Sequence, residues 1–271
     1  MKKALLGLAN NIGENIEKVK LWALSFKKYS NGEVMLLCAN ANPSEIQMCE
    51  RLGIKCIEVN LPNTHEINHE RLKYTVDSLK STDIDLLLIT DVYDVAFQGD
   101  PFVKLDTSNY DIFISGEGLL VEHEVWNTDN INKLFPSEFQ KCRKTEVMNS
   151  GVIAGKRTSL ISLYESMYNL CENSTDKHNI KDQAALIVMV SNNQIKNIKV
   201  FNLDDGWAMH CAVAGPTYFF DAWDFKKNIR YGIPQMKDNH IVNKFGNKYD
   251  IVHQFNRVAE WHELIKKNNN L

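Results

Sequence analysis

Up to Thr90 the chain alternates short apolar runs with longer amphipathic segments, and this alternation constrains the fold more than any other feature. Ala4 to Ala9 reads as a strand. Glu14 to Tyr29 reads as a helix with Ile16, Val19, Trp22, Ala23 and Phe26 on its apolar face. Glu33 to Ala39 is a second strand, and Pro43 at a first helical turn, capped by Asn42, opens a short helix ending at Gly53. Ile54 to Val59 is a third strand and Thr64 to Lys80 a helix. The run Ile84 to Thr90 is apolar enough for a fourth strand buried on both faces. The order βαβαβαβ predicts an α/β layer fold, Rossmann-like, whose mixed but mostly parallel sheet is flanked by helices.

Beyond Thr90 the spacing predicts strands at Tyr110 to Ser115, Val147 to Ala154 and Ile251 to Phe255. Helices are predicted near Asn127 to Lys141, Thr158 to Cys171, Asp182 to Val190 and Ala259 to Lys267. From Gly215 to Asn247 the chain is rich in aromatics (Tyr218, Phe219, Phe220, Trp223, Phe225, Tyr231) without periodicity, which suits a loop-built substrate wall. No repeat or low-complexity linker divides the chain, so residues 1–271 are read as one domain.

Charge and cysteine usage narrow the partners. With 31 Lys+Arg against 34 Asp+Glu the net charge is -3, so the overall field draws the chain to neither nucleic acid nor an anionic membrane. The six cysteines include no CxxC pair and are read as reduced thiols rather than a zinc or disulfide framework. Lys2 and Lys3 precede an apolar stretch that stops at Asn10, too short for a signal peptide, and no run approaches the roughly eighteen apolar residues of a membrane span. The expected compartment is the cytosol, with no integral membrane segment.

The strongest chemical signal is TDVYDVAFQGDPF, which begins where the fourth strand ends. Ligands of open α/β sheets gather at the carboxyl ends of strands, and two carboxylates three positions apart can converge there on one divalent cation. A solvated acidic turn would use the same residues. The arrangement resembles the metal-binding "DxD" region of GT-A fold nucleotide-sugar glycosyltransferases. It is particularly similar to the glycosyltransferase domain of lysyl hydroxylases and related bacterial and plant proteins. Three further segments follow in the family's order: Met148-Asn149-Ser150-Gly151, Lys181-Asp182-Gln183 and Val252-His253-Gln254-Phe255.

The resemblance implies a metal-dependent transferase moving a sugar from a nucleotide sugar, UDP-linked, to an acceptor hydroxyl, usually with retention. Asp91, Asp94 and His253 are then the ligands of Mn²⁺ or Mg²⁺. A mixed carboxylate, imidazole and phosphate shell favours Mn²⁺ somewhat. By the same resemblance Ala9, Asn10, Asn11 and Tyr93 receive the nucleoside, Arg71 faces the diphosphate or sugar, and Asn149, Ser150 and Gly151 border the sugar. Asp182 and Gln183 contact the sugar. Should the enzyme invert, Asp182 becomes the natural general base, and apart from any family it suits a helix N-terminus. Residues 1–105 form the nucleotide-binding half and 106–271 the acceptor-side half; the acceptor is a glycan or another hydroxyl-bearing molecule.

One motif points to another chemistry. His65-Glu66-Ile67-Asn68-His69 matches H-E-x-x-H, in which two histidines on one helical face hold zinc and the glutamate activates water. It follows Pro62 at a helix start and lacks apolar flanks, so a polar first turn explains the same residues. A zinc peptidase and a non-catalytic nucleotide-sugar-binding module are therefore the alternatives to a transferase.

Overall fold

The structure is a computed structural model that describes residues 1–61, 67–174, 181–211 and 228–270. Its frame is a seven-stranded sheet in the order β3-β2-β1-β4-β7-β6-β8. The strands are β1 (Lys3–Asn10), β2 (Glu33–Ala39), β3 (Lys55–Val59), β4 (Leu86–Thr90), β6 (Ile112–Leu120), β7 (Glu146–Lys156) and β8 (Ile198–Phe201). All neighbours run parallel except β7, which is antiparallel to both β4 and β6. The α/β class with a mixed, mostly parallel sheet is as the sequence led us to expect.

Side chains alternate across the strands with period two and so build two cores. Ala4, Leu6, Leu87, Ile89, Ile114 and Ile153 face one layer, which contains α3 (Ile67–Ser81), α6 (Arg157–Glu172) and α7 (Asp182–Ser191). Leu5, Leu36, Leu88, Phe113 and Val152 face the other, which contains α1 (Ile16–Tyr29) and α2 (Pro43–Arg51). All five residues of β4 are buried, as expected for a strand covered on both faces. Helix α2 starts on a capping box: the Asn42 side chain accepts from Glu45 N–H while the Glu45 carboxylate accepts from Asn42 N–H. Helix α7 is apolar around nearly its whole circumference and is correspondingly buried.

A second, three-stranded sheet has the order β5-β12-β9, formed by β5 (Val95–Phe97), β12 (Ile251–His253) and β9 (Ala208–His210). A hairpin of β10 (Gln235–Lys237) and β11 (His240–Val242) adjoins it, and α8 (Ala259–Asn268) packs Trp261 and Leu264 against Ala96, Met209 and Val252. Buried Gln98 braces the turn after β5 by donating to the carbonyls of Ile241 and Tyr249 and accepting from Ile241 N–H.

Several boundaries differ from the sequence reading. The helix expected over Asn127 to Lys141 is two helices, α4 (Val125–Leu134) and α5 (Phe139–Cys142), because Pro136 cannot continue the first. Strand β6 continues to Leu120, five residues past the expected end. The three-residue strands β5, β9, β10 and β11 and the four-residue β8 had not been anticipated, since so few residues carry no legible period. All six cysteines are free thiols.

Candidate active site

The pairing of β4 with β7 creates the site. Thr90 lies opposite Val152, and Asp91 N–H donates to Gly151 C=O at 2.9 Å, so the acidic turn begins beside Asn149-Ser150-Gly151. The end of β4 is held by α1, whose Trp22 indole N–H donates to Thr90 Oγ1 at 2.8 Å in the buried interior. The second sheet then delivers the histidine. In β12, His253 pairs with Val95 of β5, and Gln254 N–H donates to Asp94 C=O at 2.6 Å.

The result is a triangle of donors: one atom each from Asp91, Asp94 and His253 lie within 4.8 Å of one another. His253 Nε2 stands 3.3 Å from Asp91 Oδ2 and 3.6 Å from Asp94 Oδ1, and it is buried without a hydrogen bond among the described residues. An unspent buried nitrogen aimed at two carboxylates is the arrangement a divalent cation requires, so these residues fit the metal that the resemblance implies. Charge in the triangle is strongly coupled. Burial opposes the ionisation of Asp91, but the Arg71 guanidinium and His253 outweigh it and hold the carboxyl well below the usual range. Burial pushes Asp94 up. Burial alone would neutralise His253, yet Asp94 and Asp91 reverse that and raise its pKa.

Gly151 is the close-approach glycine of the site. A Cβ there would lie 2.5 Å from Asp91 Oδ2 and 2.6 Å from His253 Cε1. The obstacles are side chains, so Gly151→Ala is expected to fold while displacing both donors. Mn²⁺ affinity should drop by about tenfold or more, the scale on which misoriented ligands act. Titration calorimetry checks this, and unchanged affinity would show that the two donors are not a cation site.

Arg71, on α3, joins the triangle to the rest of the cavity. Its guanidinium donates to Asp91 Oδ1 at 2.5 Å and to Asp182 Oδ2, and lies 3.5 Å from Ser150 Oγ. Asp182, in the first turn of α7, is only 1% exposed, and among the described residues its Oδ1 has no hydrogen-bond partner. A cavity of about 310 Å³ opens here, and Arg71, Asp91, Asn149, Ser150, Gly151, Asp182, Gln183 and His253 all line it. Sequence positions from 71 to 253 thus meet at one place. Asp94 joins them through the donor triangle.

Other expected residues do not line this cavity. Ala9 and Asn10 end β1, Asn11 follows them, and Tyr93 reaches them by donating its hydroxyl to Asn10 C=O. Lys18 stands over the Tyr93 ring. Tyr231 does not line the cavity; its hydroxyl donates to Glu146 at 3.3 Å, and the other five aromatics of the expected substrate wall lie outside the described residues. His65 and Glu66 also lie outside them. His69 is buried, stacked on Tyr168 with its Nε2 3.1 Å from Glu172.

The sequence reading missed Glu117. It is buried at the far wall of the cavity, accepting from Asn149 Nδ2 at 2.7 Å, with Gln183 Nε2 at 3.5 Å. Asn149 spends its other end on Gly151 N–H at 2.8 Å and so braces the cavity wall. Glu124, on the same wall, caps α4 by accepting from the Trp126 and Asn127 amides. Burial pushes Glu117 up to about 7, against the Asn149 hydrogen bond and with help from Glu124. Only the β6 strand end, a place where ligands gather, would have singled Glu117 out.

The sign of its pH effect follows. The folded state holds this proton more tightly than the unfolded chain, so stability is lost as pH rises from about 4.5 to about 7, by about 3 kcal/mol in total, and is level above. In Glu117→Gln this contribution is absent. The melting temperature of the variant relative to wild type is therefore expected to climb across that window, and a constant difference would refute the assignment.

No family model matches the chain, and no curated protein matches it. Solved structures do. A galactosyltransferase, LgtC, in complex with donor and acceptor sugar analogues, superposes with a TM-score of 0.58 at 15% identity, covering 97% of this chain and 95% of that one. An active-site mutant of LgtC gives 0.57 at 14% identity with the same coverage. At this identity the likeness establishes a shared GT-A-like fold over nearly the whole chain.

Proposed function

We propose that this chain is a cation-dependent glycosyltransferase of one catalytic domain, moving a sugar from a UDP-linked donor to an acceptor hydroxyl with retention. The observation that carries the reading is the Asp91, Asp94 and His253 triangle at the carboxyl end of β4, opening on a cavity that charged and amide side chains line in a glycosyltransferase-like fold. Mn²⁺ or Mg²⁺ bound there would neutralise charge developing on the departing diphosphate.

The chain's own residues divide the remaining work. Arg71 is committed to Asp91 and Asp182 and holds both carboxylates in place. Arg257 also lines the cavity, and its charge favours the ionised form of Asp94; it is the cation we assign to the diphosphate. Asp182 Oδ1, buried and unspent, accepts from a donor-sugar hydroxyl. Gln183 donates to Asn127 Oδ1 at 3.1 Å and orders the opposite wall. Glu117, poised near neutrality, is suited to exchange a proton with a bound hydroxyl. Ala9, Asn10, Asn11 and Tyr93 form the edge we assign to the nucleoside.

A panel of nucleotide sugars, followed by thermal shift and by release of free UDP with and without Mn²⁺, tests the proposal. We expect one UDP-sugar to stabilise the protein and to release UDP only with the cation. Binding without turnover would leave a nucleotide-sugar-binding module, and neither binding nor turnover would overturn the reading. The described helices include none long and apolar enough to cross a membrane.

A further inference from the structure

His210 and His253 are neighbours in the register of β9 and β12, and both are fully buried. Their Nδ1 atoms lie 2.9 Å apart with the rings near perpendicular, at 89°. The remaining nitrogen of His210, Nε2, is 2.6 Å from Ser115 Oγ on β6. A contact of 2.9 Å between two ring nitrogens holds one proton: two N–H groups would collide and two lone pairs would repel.

The surroundings decide which ring carries that proton. Ser115 Oγ can donate or accept and so leaves the choice open. His253 Nε2 does not, because it faces Asp91 and Asp94, the residues read with it as the ligands of a cation. Toward a cation Nε2 must be a lone pair, so the neutral ring places its single proton on Nδ1. With a cation bound, Nδ1 is therefore the donor and His210 Nδ1 the acceptor. Neutral His210 then carries its proton on Nε2 and donates to Ser115 Oγ. Its burial agrees with a neutral ring, since an imidazolium would put N–H against N–H.

We propose that His210 is a positioning residue, which, backed by Ser115, fixes the ring orientation and tautomer of His253 so that its Nε2 lone pair is directed at a divalent cation. The inference rests on the reading of His253 as a cation ligand. Partners of this kind, which accept from the far nitrogen of a ligating histidine, fix its tautomer and strengthen its basicity.

The test uses Mn²⁺ chloride titrated into the intact protein by calorimetry. His210→Leu keeps bulk but offers no acceptor, whereas His210→Asn carries an amide oxygen near the position of Nδ1. Mn²⁺ affinity should fall about 10- to 100-fold in H210L and stay within about threefold of wild type in H210N. Folded H210L binding Mn²⁺ as wild type does, or H210N losing as much as H210L, would overturn the proposal.

A second readout needs no variant. Long-range ¹H–¹⁵N spectra of Mg²⁺-loaded wild type should show His253 protonated on Nδ1 and His210 on Nε2, and the opposite tautomers would also overturn it. The two levels of failure are separable. If wild type binds no Mn²⁺, the cation reading of His253 falls and takes this inference with it. If wild type binds, Asp94→Asn does not, and H210L does, only the role of His210 is refuted.

Discussion

Replacing Asp94 by asparagine is expected to abolish cation-dependent UDP release while leaving the protein folded. The side chain sits in a triangle with Asp91 and His253, and burial raises its pKa, so the ionised carboxylate is held at a cost that a cation relieves. Asparagine keeps the shape and removes the charge. Turnover should fall by at least about a hundredfold, the scale of losing one preorganised charge-stabilising group. The raised pKa has a definite sign: above its unfolded value, the charged Asp94 opposes folding. The variant without metal should therefore melt at the wild-type temperature or higher near neutral pH. The stabilisation by Mn²⁺ seen in wild type should disappear. Retained Mn²⁺ stabilisation in this variant would remove Asp94 from the cation site.

Replacing Arg71 by methionine should produce the largest loss of stability. Arg71 is the cation between Asp91 and Asp182, its own side chain 20% exposed and that of Asp182 1%. Methionine fills much the same space but leaves Asp182 buried without the guanidinium it pairs with. Breaking a buried ion pair from one side costs about 3–5 kcal/mol, against at most about 1 kcal/mol for an exposed pair. For a chain of this size the melting temperature should drop by on the order of 10 °C. Arg71→Lys retains charge without the two-pronged geometry and should lie between the two. Mn²⁺ should narrow the deficit by restoring positive charge beside Asp91 and should not close it, because Asp182 stays uncompensated. Differential scanning calorimetry with and without Mn²⁺ measures all three. A loss below about 1 kcal/mol would mean that water reaches Asp182 and that the pair is effectively exposed.

Both expectations begin from residues that the sequence had already marked, but the sequence marked them for different reasons. Asp91 and Asp94 were legible because a strand apolar up to Thr90, Leu86–Thr90, stops at them, and that position in an α/β sheet has a known use. Arg71 was readable only as a helix arginine of a suggestive position. That it spans two carboxylates twenty and 111 residues away depends on α3 packing against α6 and α7. Asn149 was expected beside the sugar; in the structure both ends of its amide are engaged, with Glu117 and with Gly151. Glu117 gave no local signal because its raised pKa comes from burial, which no short stretch of sequence reveals.

The sequence by itself determined the α/β class and the placement of the acidic turn at a strand end. Hydrophobic period and strand-end position are local properties, and about ten consecutive residues suffice to express them. Only the tertiary structure decided that β7 runs antiparallel to β4, which sets Gly151 against Asp91, and that three strands of three residues each bring Asp94, His253 and His210 together. Such strands are too short to show a period, and their register is set by hydrogen bonds between distant segments, 43 residues apart for β9 and β12 and more than 150 for β5 and β12. The carboxylates were therefore visible in the chain, while the histidine pair that completes their site exists only in the folded protein.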